Sequence, residues 1–242
     1  MNDLMHAQSS GFHLVEILSR IGTVGHVILW TLLFFSIVVW AIIVYKVYKL
    51  RQIRKGARKF LDLYHENGDL GEVYAACISL HSVPIIRVFK SGYLELQRIR
   101  KDLMNLKVDR KVSIEVMFSE WIEEFSSVLQ ESLTRETMAL EHFLIFLAIS
   151  SSSAPLLGLL GTVWGVMTAF WSVGMQGYTS LGVIAPGVSA ALVTTIGGLA
   201  TAIPAAIAYN YLLNRTKILS LEMECFASEF TCAVRKDVRK AF

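Results

Sequence analysis

Five threonines, Thr162, Thr168, Thr194, Thr195 and Thr201, lie in a run of 73 residues, His142 to Asn214, that contains no Asp, Glu, Lys or Arg. A hydroxyl donates one hydrogen bond and accepts two, so several together can hold water and pass protons or small cations, but they do not titrate. A threonine in an apolar helix commonly returns its hydroxyl to its own i−3 or i−4 carbonyl and is then chemically silent. The arrangement argues otherwise here. Thr162 and Thr168 accompany Gly158, Gly161 and Gly165, while Thr194, Thr195 and Thr201 are concentrated a short way further on. Pro204 adds an acceptor, because it has no N–H to give the carbonyl of Ala200; Pro155 and Pro204 are both expected to kink their helices. Other chemistry is poorly supported. The six histidines show no metal spacing, no glycine-rich phosphate loop precedes a Lys-Ser or Lys-Thr, and no Ser/His/Asp set can be assigned. An enzyme is therefore not expected, nor a metal or cofactor.

The elements that must position these hydroxyls are membrane spans. A helix needs about 20 apolar residues to cross roughly 30 Å of hydrocarbon, so the 73-residue run holds two crossings. A second uncharged run, Ile21 to Tyr45, gives a third. It far exceeds a signal-peptide core, and no basic residues open the chain, so it reads as retained. The expected fold is an all-α integral membrane protein with three transmembrane helices and long helices extending into the cytoplasm. Its expected parts are a short periplasmic segment 1–20, spans 21–45, 143–173 and 181–213, a cytoplasmic helical segment 46–142, a periplasmic turn 174–180 and a cytoplasmic tail 214–242.

Orientation follows from the basic residues. One, Arg20, precedes the first span, sixteen fall between Lys46 and Arg135, none lies between the second and third spans, and six follow Asn214. The positive-inside rule then places the N-terminus outside and the middle segment and tail in the cytoplasm. The net charge of +3 does not call for nucleic acid, because Lys46, Lys49, Arg51, Arg54, Lys55, Arg58 and Lys59 crowd just past a span, where topology and anionic lipid account for them. Cys77, Cys225 and Cys232 show no CxxC spacing and fall on the reducing side, so they are expected to be unpaired thiols.

The middle segment is broken at Asn67-Gly68 and Pro84 and reads as a few helices with little core of their own. Its last part is amphipathic: Phe118, Trp121, Ile122, Phe125, Val128, Leu129 and Leu133 recur at spacings of three and four. No Pro or Gly interrupts Lys111 to Ala154, so this helix is expected to run straight into the second span. Its apolar stripe fits either packing against the segment after the first span and the tail, or contact with identical subunits.

Within the uncharged run the two spans form a hairpin. Gly158, Gly161, Gly165 and Ala169 give one a strip that a neighbouring backbone can approach, with Gly161 and Gly165 a GxxxG pair. The other span carries Gly187, Ala191 and Thr195 at spacings of four, beside Ala190, Thr194, Gly198 and Ala202. Tight helix packing accounts for these glycines and alanines.

The segments APLLGLLGTVWGVMTAFWSVG, 154–174, and APGVSAALVTTIGGLATAIPAAIAYN, 185–210, resemble the paired membrane signatures of the TolQ/ExbB/MotA proton-channel family. The first span, SGYLEL at 91–96, SLTRETMALE before the second span and the closing EFTCAVRKDVRKAF resemble its TolQ branch, so the likeness covers nearly the whole chain. The resemblance implies an inner-membrane motor subunit, five copies of which surround a pore holding single-span helices of a TolR-like partner. That partner brings the titratable Asp, and proton flow drives a TolA-like transmembrane partner, and through it Pal, during cell constriction. An ExbB-like role in TonB-dependent uptake is the neighbouring possibility. A non-conducting membrane scaffold is another.

By motif, the resemblance places Thr162 and Thr195 along the pore, with Thr194, Thr201 and Ala190 as weaker candidates. In one place the chain departs from the pattern: a glutamate usually stands between the proline-glycine and the threonine of the third span, and here the residue is Ala190. No carboxylate is left between Glu141 and Glu222, so a titrating group at that depth has to come from another polypeptide.

Overall fold

A computed structural model of the chain describes residues 22–66, 70–77, 83–105, 112–176 and 181–240. Among these the regular elements are all helices: α1 (Thr23–Glu66), α2 (Leu70–Ala76), α3 (Pro84–Asn105), α4 (Val112–Glu141), α5 (Leu144–Gln176) and α6 (Leu181–Lys240). Three stretches, in α1, α5 and α6, are long and apolar enough to cross a membrane. Both α1 and α6 continue well past their uncharged runs, to Glu66 and Lys240. Helix α5 remains continuous through Pro155, and α6 through Pro186 and Pro204. The chain divides into two compact units, one holding the residues through Tyr45 together with Phe143–Tyr211, the other Lys46–His142 and the chain from Leu212 on.

In the first unit α1 lies against α5 and α6. Ile28 and Leu32 are buried with Ala154 and Ala202, and Val24 and Leu157 pack around them. The small side chains of α5 and α6 are what let three helices share so thin a core. Large apolar side chains elsewhere on these helices face outward, among them Trp30, Ile37, Leu156, Val163, Trp171, Ile196 and Ile207. A chain that exposes residues of this kind is built for lipid or for neighbouring subunits rather than for water.

The second unit has a larger core than the middle segment provides alone, because the end of α6 adds to it. Phe60 of α1, Phe89 of α3, Phe125 of α4 and Phe226 and Phe230 of α6 are all but inaccessible to solvent. Phe60 meets Phe226 edge-on at 5.3 Å, and Phe125 meets Phe230 edge-on at 5.4 Å, the geometry aromatic quadrupoles favour. The apolar stripe of α4 is thus covered within the chain: Ile122, Phe125, Leu129 and Leu133 are buried. Gly92 is where α3 admits this packing, since a Cβ there would stand 2.7 Å from Phe230 and 2.8 Å from Leu129. The buried carboxylate of Glu136 takes both Nε and an Nη of Arg87, which joins α4 to α3.

The expected straight passage from α4 into the second span is not what forms. The helix breaks at His142 and Phe143, where Phe143 takes a left-handed backbone, φ 71°. Such a conformation is costly for a bulky L residue and persists where surrounding contacts hold it. In the first unit the Phe143 ring stands edge-on to Tyr45, with centroids 6.4 Å apart. In the second, the Leu140 carbonyl, which an unbroken helix would bond to the Leu144 amide, receives the Lys46 ammonium at 2.8 Å. Lys46 is 3% exposed. No local residue signals this break, because its supports come from α1.

Lys46 lies one residue beyond the uncharged run, and burial, then the charge of Lys49, pulls its ammonium down to about 8. Between that value and the ordinary lysine range the unfolded chain binds a proton that the native chain has released, so stability rises with pH across the window. Below it, the cost of burying the charge is fully present. Thermal unfolding of detergent-solubilised protein should show the midpoint of the wild type rising relative to Lys46→Met between pH 8 and 10. A constant difference across that range would rule out Lys46 as the cause.

Candidate functional site

Thr162, Thr194 and Thr195 are positioned by a close crossing of α5 and α6. At Gly158 an added Cβ would stand 2.9 Å from the Thr194 carbonyl oxygen, 3.0 Å from the Thr195 Cα and 3.3 Å from the Gly198 Cα. At Gly198 it would stand 2.6 Å from the Ala154 carbonyl oxygen and 3.1 Å from the Gly158 Cα. Backbone meets backbone here, and only glycine permits it. The strip continues along both helices. A Cβ on Gly161 would collide with the Thr194 hydroxyl, one on Gly165 would lie 2.6 Å from the Ala191 Cβ, and one on Gly187 would lie 2.9 Å from the Ala169 Cβ. The glycines and Ala191 singled out in the sequence therefore face the neighbouring helix of the same chain.

The crossing gathers three of the five hydroxyls. Thr162 donates to the Leu159 carbonyl at 2.8 Å and lies 3.4 Å from the Gly158 carbonyl. Thr194 reaches the Ala191 carbonyl at 2.6 Å and the Gly158 carbonyl at 3.1 Å. Thr195 reaches the Gly158 carbonyl at 3.2 Å and the Thr162 hydroxyl at 3.3 Å. The Gly158 oxygen is the point on which all three converge, and nothing in the sequence pattern marked it. Thr195 differs from the other two, because both of its partners lie on α5 and it makes no return bond to its own helix. Thr162 and Thr195 are half-buried, whereas Thr194 is 1% exposed.

The other candidates lie apart from this cluster. Thr168 bonds its own Gly165 carbonyl at 2.9 Å. Thr201 is buried, donating to Gly197 at 3.0 Å with the Leu32 carbonyl of α1 at 3.5 Å. These are the self-satisfied hydroxyls that an apolar helix ordinarily contains. Ala190 is buried on the wall of a cleft of about 690 Å³, beside Trp164, Gly165, Thr168 and Gly187. The cleft also takes in Pro186, a proline inside α6. There is thus open space beside Ala190, where the resemblance implies a longer, acidic side chain.

Taken together, the fold and this crossing define an all-helical integral membrane protein whose paired spans meet through hydroxyls and bare backbone. The chain belongs to the MotA/TolQ/ExbB proton channel family, whose profile matches residues 83–225. It is 30% identical over 224 residues to the Tol-Pal system protein TolQ of Haemophilus influenzae, covering 92% of this chain and 93% of that one. The Tol-Pal system protein TolQ of Pseudomonas aeruginosa is 29% identical over 225 residues, with the same coverage of each chain. The biopolymer transport protein ExbB of Neisseria meningitidis serogroup A is 28% identical over 203 residues, 82% of this chain and 86% of that one.

Gly197 and Gly198, side by side on α6, allow the crossing to be tested. A Cβ on Gly197 would meet only the ends of Leu29 and Leu32, at 3.5 and 3.7 Å. Gly198→Ala should lower the thermal unfolding midpoint by the equivalent of about 1–3 kcal/mol, the usual cost of overpacking, and Gly197→Ala should leave it nearly unchanged. Equal midpoints for the two variants would show that the crossing is not close-packed.

Proposed function

We propose that this chain is the channel-forming, stator-like subunit of a proton-driven motor in the bacterial inner membrane, of the kind that serves the Tol-Pal system. The observation that carries the reading is the pairing of Thr162 and Thr195 across the α5–α6 crossing, 3.3 Å apart and only half-buried, in a span pair with no titratable carboxylate. Such a pair can relay or hydrate a proton but cannot store one. The storing group then belongs to a partner, and a TolR-like single-span helix with an Asp at membrane depth suits the requirement. The driving energy is about 2.3 kcal/mol per charge per 100 mV, so each proton does modest work. A TolA-like partner would carry that work toward the outer membrane. Several copies of the chain, a pentamer in this reading, would enclose the path, which gives the outward-facing apolar side chains of α5 and α6 somewhere to go. The distribution of basic residues supports a periplasmic N-terminus and a cytoplasmic C-terminus.

The longer and slightly closer matches to TolQ proteins favour a Tol-Pal client over ExbB-like energising of TonB-dependent uptake. In cells lacking the native gene, Thr162→Val or Thr195→Val should abolish envelope-integrity complementation with expression and assembly unchanged. Normal complementation by both variants would leave the chain a non-conducting scaffold. Ala190→Glu restores the usual acid of the family pattern in a place with room for it. If the partner's Asp suffices for protonation, this variant should complement as the parent does. An inactive parent rescued by Ala190→Glu would show that the acid is required in this subunit.

A further inference from the structure

Resting on the reading of Thr162 and Thr195 as the proton path, we propose that Thr194 is a positioning residue that decides where the Thr195 hydroxyl points. Three hydroxyl hydrogens compete for few acceptors at the crossing. The Gly158 carbonyl has two lone pairs, and as a helix-interior carbonyl it gives one to the Thr162 amide, which leaves a single place. Thr162 does not need that place, because Leu159 accepts from it at 2.8 Å. Thr194 and Thr195 both reach it, at 3.1 and 3.2 Å.

Thr194 has an alternative on its own helix, the Ala191 carbonyl at 2.6 Å, whereas the only alternative for Thr195 is the Thr162 hydroxyl at 3.3 Å. Two arrangements follow. With Thr194 donating to Ala191, Thr195 donates to Gly158 and is disconnected from Thr162. With Thr194 donating to Gly158, Thr195 donates to Thr162, and an ordered chain runs from Thr195 through Thr162 to the Leu159 carbonyl. Rotation of one buried hydroxyl therefore opens or closes the link between the two path threonines. Thr194 borders the cleft beside Ala190 but is only 1% exposed, so its influence is exerted through Thr195.

The test compares Thr194→Val, Thr194→Ser and Thr195→Val in the full-length protein, expressed from its own locus. The readouts are the rate of cytoplasmic acidification under an imposed inward proton gradient and the oligomer size by native mass spectrometry. Valine removes the donor and leaves the Gly158 place permanently to Thr195, so proton entry should fall roughly fivefold, the equivalent of one neutral hydrogen bond, with assembly intact. Serine keeps the donor and loses a methyl, and should retain proton entry near the parent rate. If Thr194 serves only to fill the space over Gly161, serine should be impaired and valine tolerated, and the proposal is overturned. Normal entry in Thr194→Val beside a dead Thr195→Val overturns the positioning role alone. Normal entry in Thr195→Val overturns the proton path on which the role rests.

Discussion

The direct backbone contact of α5 with α6 at Gly158 and Gly198 is the constraint on which the first unit depends. In lipid no hydrophobic force draws two helices together, so close van der Waals approach and short polar contacts have to do it. A Cβ at either glycine would have to displace a carbonyl oxygen or a Cα, neither of which can yield. Because the helices come this close, the Thr194 and Thr195 hydroxyls reach a carbonyl on the other helix, and Thr195 reaches Thr162. With another ångström or two between the helices these bonds would be lost and each hydroxyl would turn back on its own backbone. Packing and polarity at the crossing are therefore one feature: the glycines bring together the hydroxyls that satisfy the polar groups there.

The second unit is held by different physics. It is a conventional hydrophobic core, dominated by phenylalanines from four helices that are far apart in sequence, with a bidentate Arg87–Glu136 pair at its edge. Helix α6 contributes to both units without a break, and so does α1. The remaining connection is interrupted at His142 and Phe143, with the freed Leu140 carbonyl answered by a buried lysine. A lysine so placed costs free energy while it stays charged, and a carbonyl left bare in the same surroundings would cost free energy too. The pairing of the two is the arrangement that spares both.

The family resemblance and the comparisons agree on what kind of protein this is, and the site shows how this chain's own residues are arranged. Within the charge-free spans the chain carries Ala190, where the resemblance implies an acid, and a third threonine, Thr194, beside Thr162 and Thr195. The first leaves a cleft and no titrating group. The second adds a hydrogen-bond donor at the point where the acceptors run short.

Much of this was legible in the residues alone. Uncharged runs of the right length fix three apolar helices, because hydrocarbon excludes charge and sets a minimum length. The three-and-four spacing from Phe118 to Leu133 marks an amphipathic helix, and the glycine strips mark a close helix contact. These are local or periodic signals, carried by the order of the side chains. What covers the α4 stripe was open to two readings from the sequence, and the Phe226–Phe230 end of α6 covers it. The break at Phe143 was unreadable because no Pro or Gly marks it; its supports are Tyr45 and a lysine that lies 94 residues along the chain from the Leu140 carbonyl it answers. The choice among the threonines was equally hidden. Hydroxyls of one type, in one stretch, differ only in which carbonyl lies within about 3 Å, and that distance is set by the approach of a second helix. Sequence determined which segments are helical and apolar; tertiary structure decided which hydroxyls meet, because hydrogen bonds between helices depend on separations that no single segment contains.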